Sequence, residues 1–148
     1  VYDAVVFRHS LEHTSDPVRA LDAVARALSP GGLVLITVPN FGSWQARRFA
    51  EHWYHLDVPR HRVHFTPTAI ERALTRAGLE LLSISTSASA VGLPASLQYR
   101  LFGRCLFPGG LGLRVATGLC ALTVPVSMAL DRAAKAGDTL HAVARRPV

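Results

Sequence analysis

The sequence predicts an α/β fold built on a parallel sheet, and three observations support this prediction. Residues 2–7 form a short apolar run with β-branched side chains, which is typical of a buried strand. Apolar residues then recur at helical spacing through residues 17–28, and a second buried run covers residues 33–38. A strand, a helix, a tight turn and a strand in this order form a βαβ unit, whose two strands are parallel.

The predicted helix has recognisable signals at both ends. Asp16 can cap its N-terminus, and Pro17 suits its first turn because the missing N–H is not needed there. The segment Ser29-Pro30-Gly31-Gly32 predicts its end and a turn into the next strand. The apolar face consists of Val18, Leu21, Val24, Ala25 and Leu28.

The rest of the α/β pattern is interrupted twice. A polar and aromatic stretch, 41–65, shows no clean period, and loops of this length are usually functional or carry a short helix. Thr66 and the residue after it open a second predicted helix, 67–77, which leads into a third strand, 79–85. The last predicted strand is 140–144, so a long segment separates the final two strands.

That separating segment, 88–136, predicts an apolar helical insertion. Within 95–130, leucines and phenylalanines alternate with Arg100 and Arg104, and Arg114 interrupts the most apolar part. A membrane span needs about 20 apolar residues, so this is a poor span. Two interpretations stay open: helices that lie in a membrane interface or cover a lipid-like substrate, and a helical subdomain that packs on itself or on a second subunit. A peripheral membrane contact through 95–130 and a homo-oligomer are therefore both candidates.

Composition excludes several classes of protein. The 148 residues are 49% hydrophobic and 18% charged, which fits one folded core and not a disordered tail. The net charge of +6 comes from scattered arginines without an aromatic-basic motif, so we predict no nucleic-acid partner. Cys105 and Cys120 lie in apolar surroundings without C-x-x-C spacing, which predicts buried thiols and a cytoplasmic location, at the inner face of the membrane if the insertion contacts lipid.

Several short motifs accompany these elements. They are Leu11-Glu12-His13, Asp16-Pro17, Pro30-Gly31-Gly32, Val38-Pro39-Asn40, Pro59-Arg60-His61 and Gly137-Asp138-Thr139-Leu140. Together they resemble the second half of class I S-adenosylmethionine-dependent methyltransferases, above all the group that includes ubiquinone-biosynthesis O-methyltransferases. The resemblance implies a partial Rossmann-like sheet with the fourth to seventh strands, the last one antiparallel, and an apolar helical insertion before that final strand.

The resemblance also implies a division of the chain and an activity. Residues 1–87 would be the C-terminal half of the α/β core, including a substrate-side loop 41–65, followed by the insertion 88–136 and the final core strand in 137–148. The implied activity is methyl transfer from S-adenosylmethionine to a small-molecule acceptor, with lipid-like molecules among the candidates.

One motif of this family is absent from the sequence. No G-x-G-x-G follows a strand, although that turn approaches the cofactor in related folds. We therefore expect that the cofactor loop lies upstream of this segment and that the chain alone binds S-adenosylmethionine poorly. The alternative is a non-catalytic half-domain that docks on a partner chain or a membrane.

Candidate cofactor contacts lie at the end of the first strand. In open α/β sheets, ligands bind at the carboxyl ends of the parallel strands. Arg8, His9 and Ser10 follow the first strand, and the resemblance implies that the methionine part of the cofactor contacts this turn.

Candidate acceptor-side residues cluster in 52–64, the densest group of functional side chains. A neutral histidine can remove a proton from an acceptor hydroxyl, so His61 and His64 are the candidate bases, with His13 behind them. Asn40, Trp53, His55, Asp57 and Arg60 are the predicted substrate-binding residues.

No metal site is predicted, although two patterns raise the question. His9-Ser10-Leu11-Glu12-His13 fits H-x-x-E-H, but that zinc site needs both histidines on one helix face, and here the helix begins only near Pro17. The histidines of 52–64 suit zinc or iron, yet the guanidinium of Arg60 at their centre disfavours a cation.

Overall fold

Four strands form one open mixed sheet in the computed structural model, which describes residues 1–105, 118, 122–130 and 136–148. The strands are β1 (Tyr2–Arg8), β2 (Leu28–Pro39), β3 (Glu80–Ser87) and β4 (Thr139–Arg145), in the spatial order β1-β2-β4-β3. β1 and β2 are parallel, whereas β4 runs antiparallel to both of its neighbours. The predicted α/β class, the βαβ unit and the antiparallel last strand are confirmed.

The helices lie where the sequence periodicity predicts them, with additions in the long loop. They are α1 (Pro17–Ala27), α2 (Trp44–Phe49), α3 (Pro67–Arg76) and α4 (Gly92–Phe102), together with three short 3-10 helices at Leu11–His13, Ala50–His52 and Tyr54–Leu56. The stretch 41–65 thus carries short helices of its own. No helix in the part of the chain that the structure describes is both long and apolar enough to cross a membrane.

The predicted insertion 88–136 contains helix in its described part. α4 lies near its start, and residues 122–130 are helical as well. Cys105 is a free thiol, but it is partly buried and not fully buried as predicted. The predictions for Cys120 and for Arg114 fall outside the described residues.

The main core lies on one face of the sheet. Along β2, Val34, Ile36 and Val38 are buried, while Leu35 between them is 39% exposed, as expected when successive side chains point to opposite faces. The buried set packs with residues of α1 and α3, among them Leu21, Ile70 and Leu74. On the outward face, Leu35 pairs with Val6 of β1, which is 63% exposed.

β2 begins earlier than predicted, at Leu28 and not near residue 33. Leu28 already pairs with Tyr2 of β1. Gly31 adopts a left-handed φ of 78°, a conformation that costs glycine little. The Gly31 N–H donates to the Arg146 carbonyl at 3.0 Å, and the Arg146 N–H donates to the Gly32 carbonyl at 2.9 Å. These bonds attach the predicted turn to the chain end after β4, so it forms part of the sheet.

The N-terminus of α1 supports a first testable prediction. A carboxylate oxygen of Asp16 accepts a hydrogen bond from the Arg19 N–H at 2.9 Å. Replacing Asp16 with Ala removes this acceptor, so we expect the free energy of unfolding in urea to fall by about 1 kcal/mol. Asp16→Asn is the matched control, because asparagine caps equally well, and equal losses in both variants would contradict the capping role.

Candidate functional site

The first part of the site is the turn at the carboxyl end of β1. His9 has a positive φ of 48°, and its N–H donates to the Thr37 carbonyl of β2 at 2.9 Å. The 3-10 helix Leu11–His13 follows, with Leu11 fully buried in the main core. This anchor buries Glu12 beside the sheet and leaves His13 exposed.

The second part is the loop that follows the 3-10 helix Tyr54–Leu56. The Glu12 carbonyl accepts hydrogen bonds from the Arg62 N–H at 2.9 Å and the Val63 N–H at 3.1 Å. In addition, Nδ1 of His13 lies 2.9 Å from the Arg60 carbonyl. Backbone hydrogen bonds therefore hold the loop against the 3-10 helix Leu11–His13, and they bring residues far apart in sequence to one place.

A cavity of about 280 Å³ lies between these two parts and α4. Its lining residues are His9, Tyr54, His55, Asp57, Arg60, His61, Val91 and Tyr99. The cavity thus combines imidazole groups, one ion pair and two phenol rings, a composition that suits a small polar ligand with some apolar surface.

His61 offers a free nitrogen at this cavity. Its Nδ1 lies 2.8 Å from the His55 carbonyl, and because a carbonyl only accepts, Nδ1 carries the proton. The lone pair of the neutral imidazole is therefore on Nε2, which lies 4.0 Å from Oε1 of Glu12 and 3.8 Å from Oδ2 of Asp57.

The carboxylate of Glu12 is buried beside two imidazoles. It is 1% exposed, and neither of its oxygens has a partner among the residues that the structure describes. The two imidazole nitrogens near its Oε1 are Nδ1 of His9, at 3.4 Å, and Nε2 of His61, at 4.0 Å. A buried charge normally has a partner, because desolvation is costly.

Charge at the rim of the cavity is paired. Oδ1 of Asp57 accepts hydrogen bonds from Nε and Nη2 of Arg60, at 3.1 and 2.6 Å. This hydrogen bond and the charge of Asp57 raise the pKa of the Arg60 guanidinium above its ordinary value. Burial, with a smaller contribution from nearby Cys105, raises the pKa of the Tyr54 hydroxyl. Tyr54 therefore stays a neutral hydrogen-bonding group at physiological pH.

Asp138 supports the opposite wall. Its fully buried carboxylate accepts hydrogen bonds from the N–H and the hydroxyl of Ser89, both at 2.6 Å. Nε2 of His55 lies 3.3 Å from Oδ2 of Asp138. The Gly137-Asp138 pair was recognised only as the lead into the last strand, because the burial of Asp138 depends on the return of β4 between β2 and β3.

Not every predicted site residue lies at the cavity. Arg8 and Ser10 are exposed and do not line it. Nε2 of His64 lies 2.9 Å from the Leu56 carbonyl, and its ring is 5.2 Å from that of Phe41, so His64 is held away from the cavity.

Two predicted substrate-binding residues, Asn40 and Trp53, are buried and do not line this cavity. The Asn40 amide donates to the Gly137 carbonyl at 2.7 Å, and its oxygen accepts from the Gly42 N–H at 2.9 Å. The whole residue is 1% exposed, so its polar atoms already have backbone partners. Trp53 is 2% exposed in a small second core with Phe49 and Leu93. Its indole ring therefore packs mainly within this second core. Trp53 also borders a neighbouring cavity of about 200 Å³.

Three lining residues are outside the predicted site set: Tyr54, Val91 and Tyr99. Tyr54 is one of the aromatic residues of the 41–65 stretch, whose side chains suit either an apolar acceptor or packing, and the sequence does not separate these two roles. Val91 precedes α4 and Tyr99 lies within it. Tertiary packing alone brings α4 to the cavity, so no local pattern could identify these two residues.

One group in the described part of the chain has the composition of a metal site. Glu12, His13 and His61 each offer one ligand atom, and these atoms lie within 4.8 Å of one another.

Comparison with known proteins places this geometry in context. A family model described as a methyltransferase domain matches residues 1–84. A search of curated proteins finds no significant match.

Among solved structures, the [4+2]-cyclase SpnF aligns with a TM-score of 0.55 and 20% identity, over 100% of this chain and 50% of that protein. Phosphoethanolamine N-methyltransferase 2 from Haemonchus contortus, in complex with S-adenosyl-L-methionine, aligns with a TM-score of 0.54 and 19% identity, over 99% of this chain and 33% of that protein. An S-adenosylmethionine-dependent methyltransferase from Mesorhizobium loti aligns with a TM-score of 0.52 and 18% identity, over 97% of this chain and 62% of that protein.

These structural similarities establish the fold alone, since all three identities are low. This chain spans 50% of the length of SpnF, 33% of the Haemonchus contortus enzyme and 62% of the Mesorhizobium loti protein. The family model, in contrast, covers more than half of the chain and includes β1, α1, β2 and α3. On that ground, the chain belongs to the methyltransferase-domain family.

Proposed function

We propose that this chain forms the acceptor side of an S-adenosylmethionine-dependent methyltransferase that acts on a small molecule. The observation that carries the proposal is the 280 Å³ cavity, which lies beside the carboxyl end of β1 and is lined by His9 and His61. Ligands of open α/β sheets bind at that edge. Membership of the methyltransferase family and a similar structure that holds S-adenosyl-L-methionine support the choice of cofactor.

The residues of this chain fit one end of that cofactor. Arg8, His9 and Ser10 are exposed at the end of β1 and can contact its methionine part, with His9 reaching the cavity. The sequence has no glycine-rich turn after a strand, which is the feature that lets a backbone approach a nucleotide in this class of fold. Recognition of the adenosine therefore needs residues other than these.

The chemistry assigned to this chain is alignment, exclusion of water and movement of one proton. The cofactor, when bound, supplies an electrophilic methyl group whose leaving group is a neutral thioether. Tyr54, Val91 and Tyr99 form walls that orient the acceptor, and orientation is a major source of rate in such displacements. The Nε2 lone pair of His61 faces the same cavity and can accept the acceptor's proton during attack.

Of the three predicted bases, His61 is therefore the one that we assign. His64 donates away from the cavity, and His13 is exposed with its Nδ1 at the Arg60 carbonyl. The imidazole-rich lining favours an acceptor with a hydroxyl or amine group. Five further predictions rest only on the sequence motifs and composition. They are the ubiquinone-biosynthesis O-methyltransferase group, a lipid-like acceptor, a peripheral membrane contact through 95–130, a homo-oligomer and a cytoplasmic location.

The proposal is tested by calorimetric titration of S-adenosylmethionine. We expect a protein extended upstream along its reading frame to bind S-adenosylmethionine with a micromolar Kd, which corresponds to a binding free energy of about −8 kcal/mol. We expect much weaker binding by the 148-residue chain alone, because its residues fit only one end of the cofactor.

Absence of binding in both folded proteins would contradict methyl transfer and favour the non-catalytic docking module. Equal binding by both would contradict the assignment of adenosine recognition to residues outside this chain. Circular dichroism of each sample supplies the control for folding.

A further inference from the structure

The carboxylate of Glu12 is buried, and neither of its oxygens has a hydrogen-bond partner among the described residues. Nδ1 of His9 and Nε2 of His61 lie 3.4 and 4.0 Å from its Oε1. Methyl transfer to the acceptor does not require a buried acid at this depth. A cation is the partner that would best offset the burial of such a charge.

His13 and His61, which form one group with Glu12, are held in the manner of metal ligands. Nδ1 of His13 lies 2.9 Å from the Arg60 carbonyl, and Nδ1 of His61 lies 2.8 Å from the His55 carbonyl. Both Nδ1 atoms must donate, so both Nε2 atoms keep a lone pair. Histidines that bind metals typically donate their other ring N–H to a carbonyl or carboxylate, which fixes the tautomer and the ring orientation.

We propose that Glu12, His13 and His61 form a binding site for a divalent first-row transition-metal ion of the zinc class. One ligand atom from each lies within 4.8 Å of the other two. Tetrahedral zinc with ligand bonds of about 2.1 Å separates its ligand atoms by about 3.4 Å, so the side chains need to move inward by about 1 Å. Two imidazoles and one carboxylate suit zinc, whereas magnesium and calcium prefer oxygen ligands.

No metal site was predicted here from the sequence, on two grounds that the structure removes. The Arg60 side chain is 76% exposed and its guanidinium is paired with Asp57, while its backbone carbonyl faces His13. In addition, the proposed site does not need both histidines of H-x-x-E-H on one helix face. Glu12 and His13 of that pattern are ligands, His9 is not, and His61, distant in sequence, supplies the third ligand.

The site would have an open coordination position at the cavity. Three protein ligands leave at least one position of a tetrahedral ion free, and His61 lines the cavity. This part of the inference rests on the proposed function: an acceptor hydroxyl bound there would lose its proton more readily, as metal-bound water does. In the metal-bound protein His61 would act as a ligand in place of its role as base, and the proton of the coordinated hydroxyl would pass to solvent before the oxygen attacks the methyl group.

The site is tested by metal binding itself, without cofactor or acceptor. The intact protein, freed of metal with a chelator, is titrated with Zn²⁺ alone by calorimetry and with Co²⁺ alone by visible absorption. We expect one ion per chain and ligand-field bands typical of a low-coordinate Co²⁺ site. Equimolar Mg²⁺ should not displace the Co²⁺.

Three ligand variants identify the site. Glu12→Gln, His13→Ala and His61→Ala should each weaken Zn²⁺ binding at least about tenfold. His13 is exposed, so His13→Ala should fold normally even if a change at buried Glu12 does not. His52→Ala is the matched control, because His52 is 40% exposed beside Glu51 and outside the group.

Absence of saturable binding, unchanged affinity in the folded His13→Ala and His61→Ala variants, an equal loss in His52→Ala, or displacement of Co²⁺ by Mg²⁺ would overturn the proposal. Titration of S-adenosylmethionine into Glu12→Gln separates this outcome from failure of the proposed function. Retained cofactor binding with lost Zn²⁺ binding supports both assignments.

Discussion

Replacement of His61 with Ala is expected to lower turnover about a hundredfold in the intact protein, with little change in affinity for S-adenosylmethionine. The reason is positional. Nε2 of His61 lies at the cavity beside Glu12 and Asp57, whereas Arg8 and Ser10, two of the three predicted cofactor contacts, are exposed at the end of β1 and do not line it. Both roles assigned to His61, base and metal ligand, predict a loss in kcat, so the measurement is steady-state kinetics alongside cofactor titration.

Two further variants exclude a purely structural effect. His61→Asn keeps a side-chain N–H that can reach the His55 carbonyl but lacks the Nε2 lone pair, so it should lose turnover without losing stability. His64→Ala removes a neighbouring imidazole that does not line the cavity, and we expect a much smaller loss. Equal losses of turnover and of cofactor affinity in His61→Ala would contradict the assignment.

The second large effect is expected from Gly92→Ala. A Cβ at this position would lie 1.8 Å from Oδ2 of Asp138 and 2.7 Å from the Ser89 hydroxyl. Asp138 is fully buried and bonded twice to Ser89, so its carboxylate cannot move without breaking these bonds. We expect the free energy of unfolding to fall by about 3 kcal/mol, the upper part of the range for overpacking, measured by denaturant titration.

A double-mutant cycle identifies the cause of that loss. In an Asp138→Ala background the carboxylate is absent, so the added methyl group of Gly92→Ala should cost much less. An unchanged cost in this background would mean that contact with Asp138 does not explain the effect, and that the Ser89 hydroxyl or the backbone of α4 does.

The sheet could be predicted from sequence because its signals are local and redundant. β1, α1 and β2 carry apolar runs, a cap and a glycine turn, and each agrees with the next. The early start of β2 was missed, since the pairing of Leu28 with Tyr2 depends on the chain end at Arg146, which no local pattern reveals.

The site was predicted less well, for a physical reason. Sequence position places a side chain at the correct edge of a sheet but does not say what it contacts there. Asn40 ends β2 at that edge, yet its amide binds the Gly137 carbonyl. Glu12 stood out in the sequence only as part of the Leu11-Glu12-His13 and H-x-x-E-H patterns, and its burial without a hydrogen-bond partner among the described residues follows from packing of two segments distant in sequence.

The hydrogen bonds from Arg62 and Val63 to the single carbonyl of Glu12 limit how the length of this loop can vary. Insertions or deletions in this loop would displace the groups that line the cavity, so loop length is a costly variable in evolution. The segment that carries Val91 and Tyr99 is fixed as well, because Gly92 packs against buried Asp138 and the Ser96 hydroxyl accepts a hydrogen bond from the Tyr54 N–H at 2.9 Å. Variation in what the cavity binds would therefore come mainly from the side chains at positions 91 and 99, with both backbones left in place.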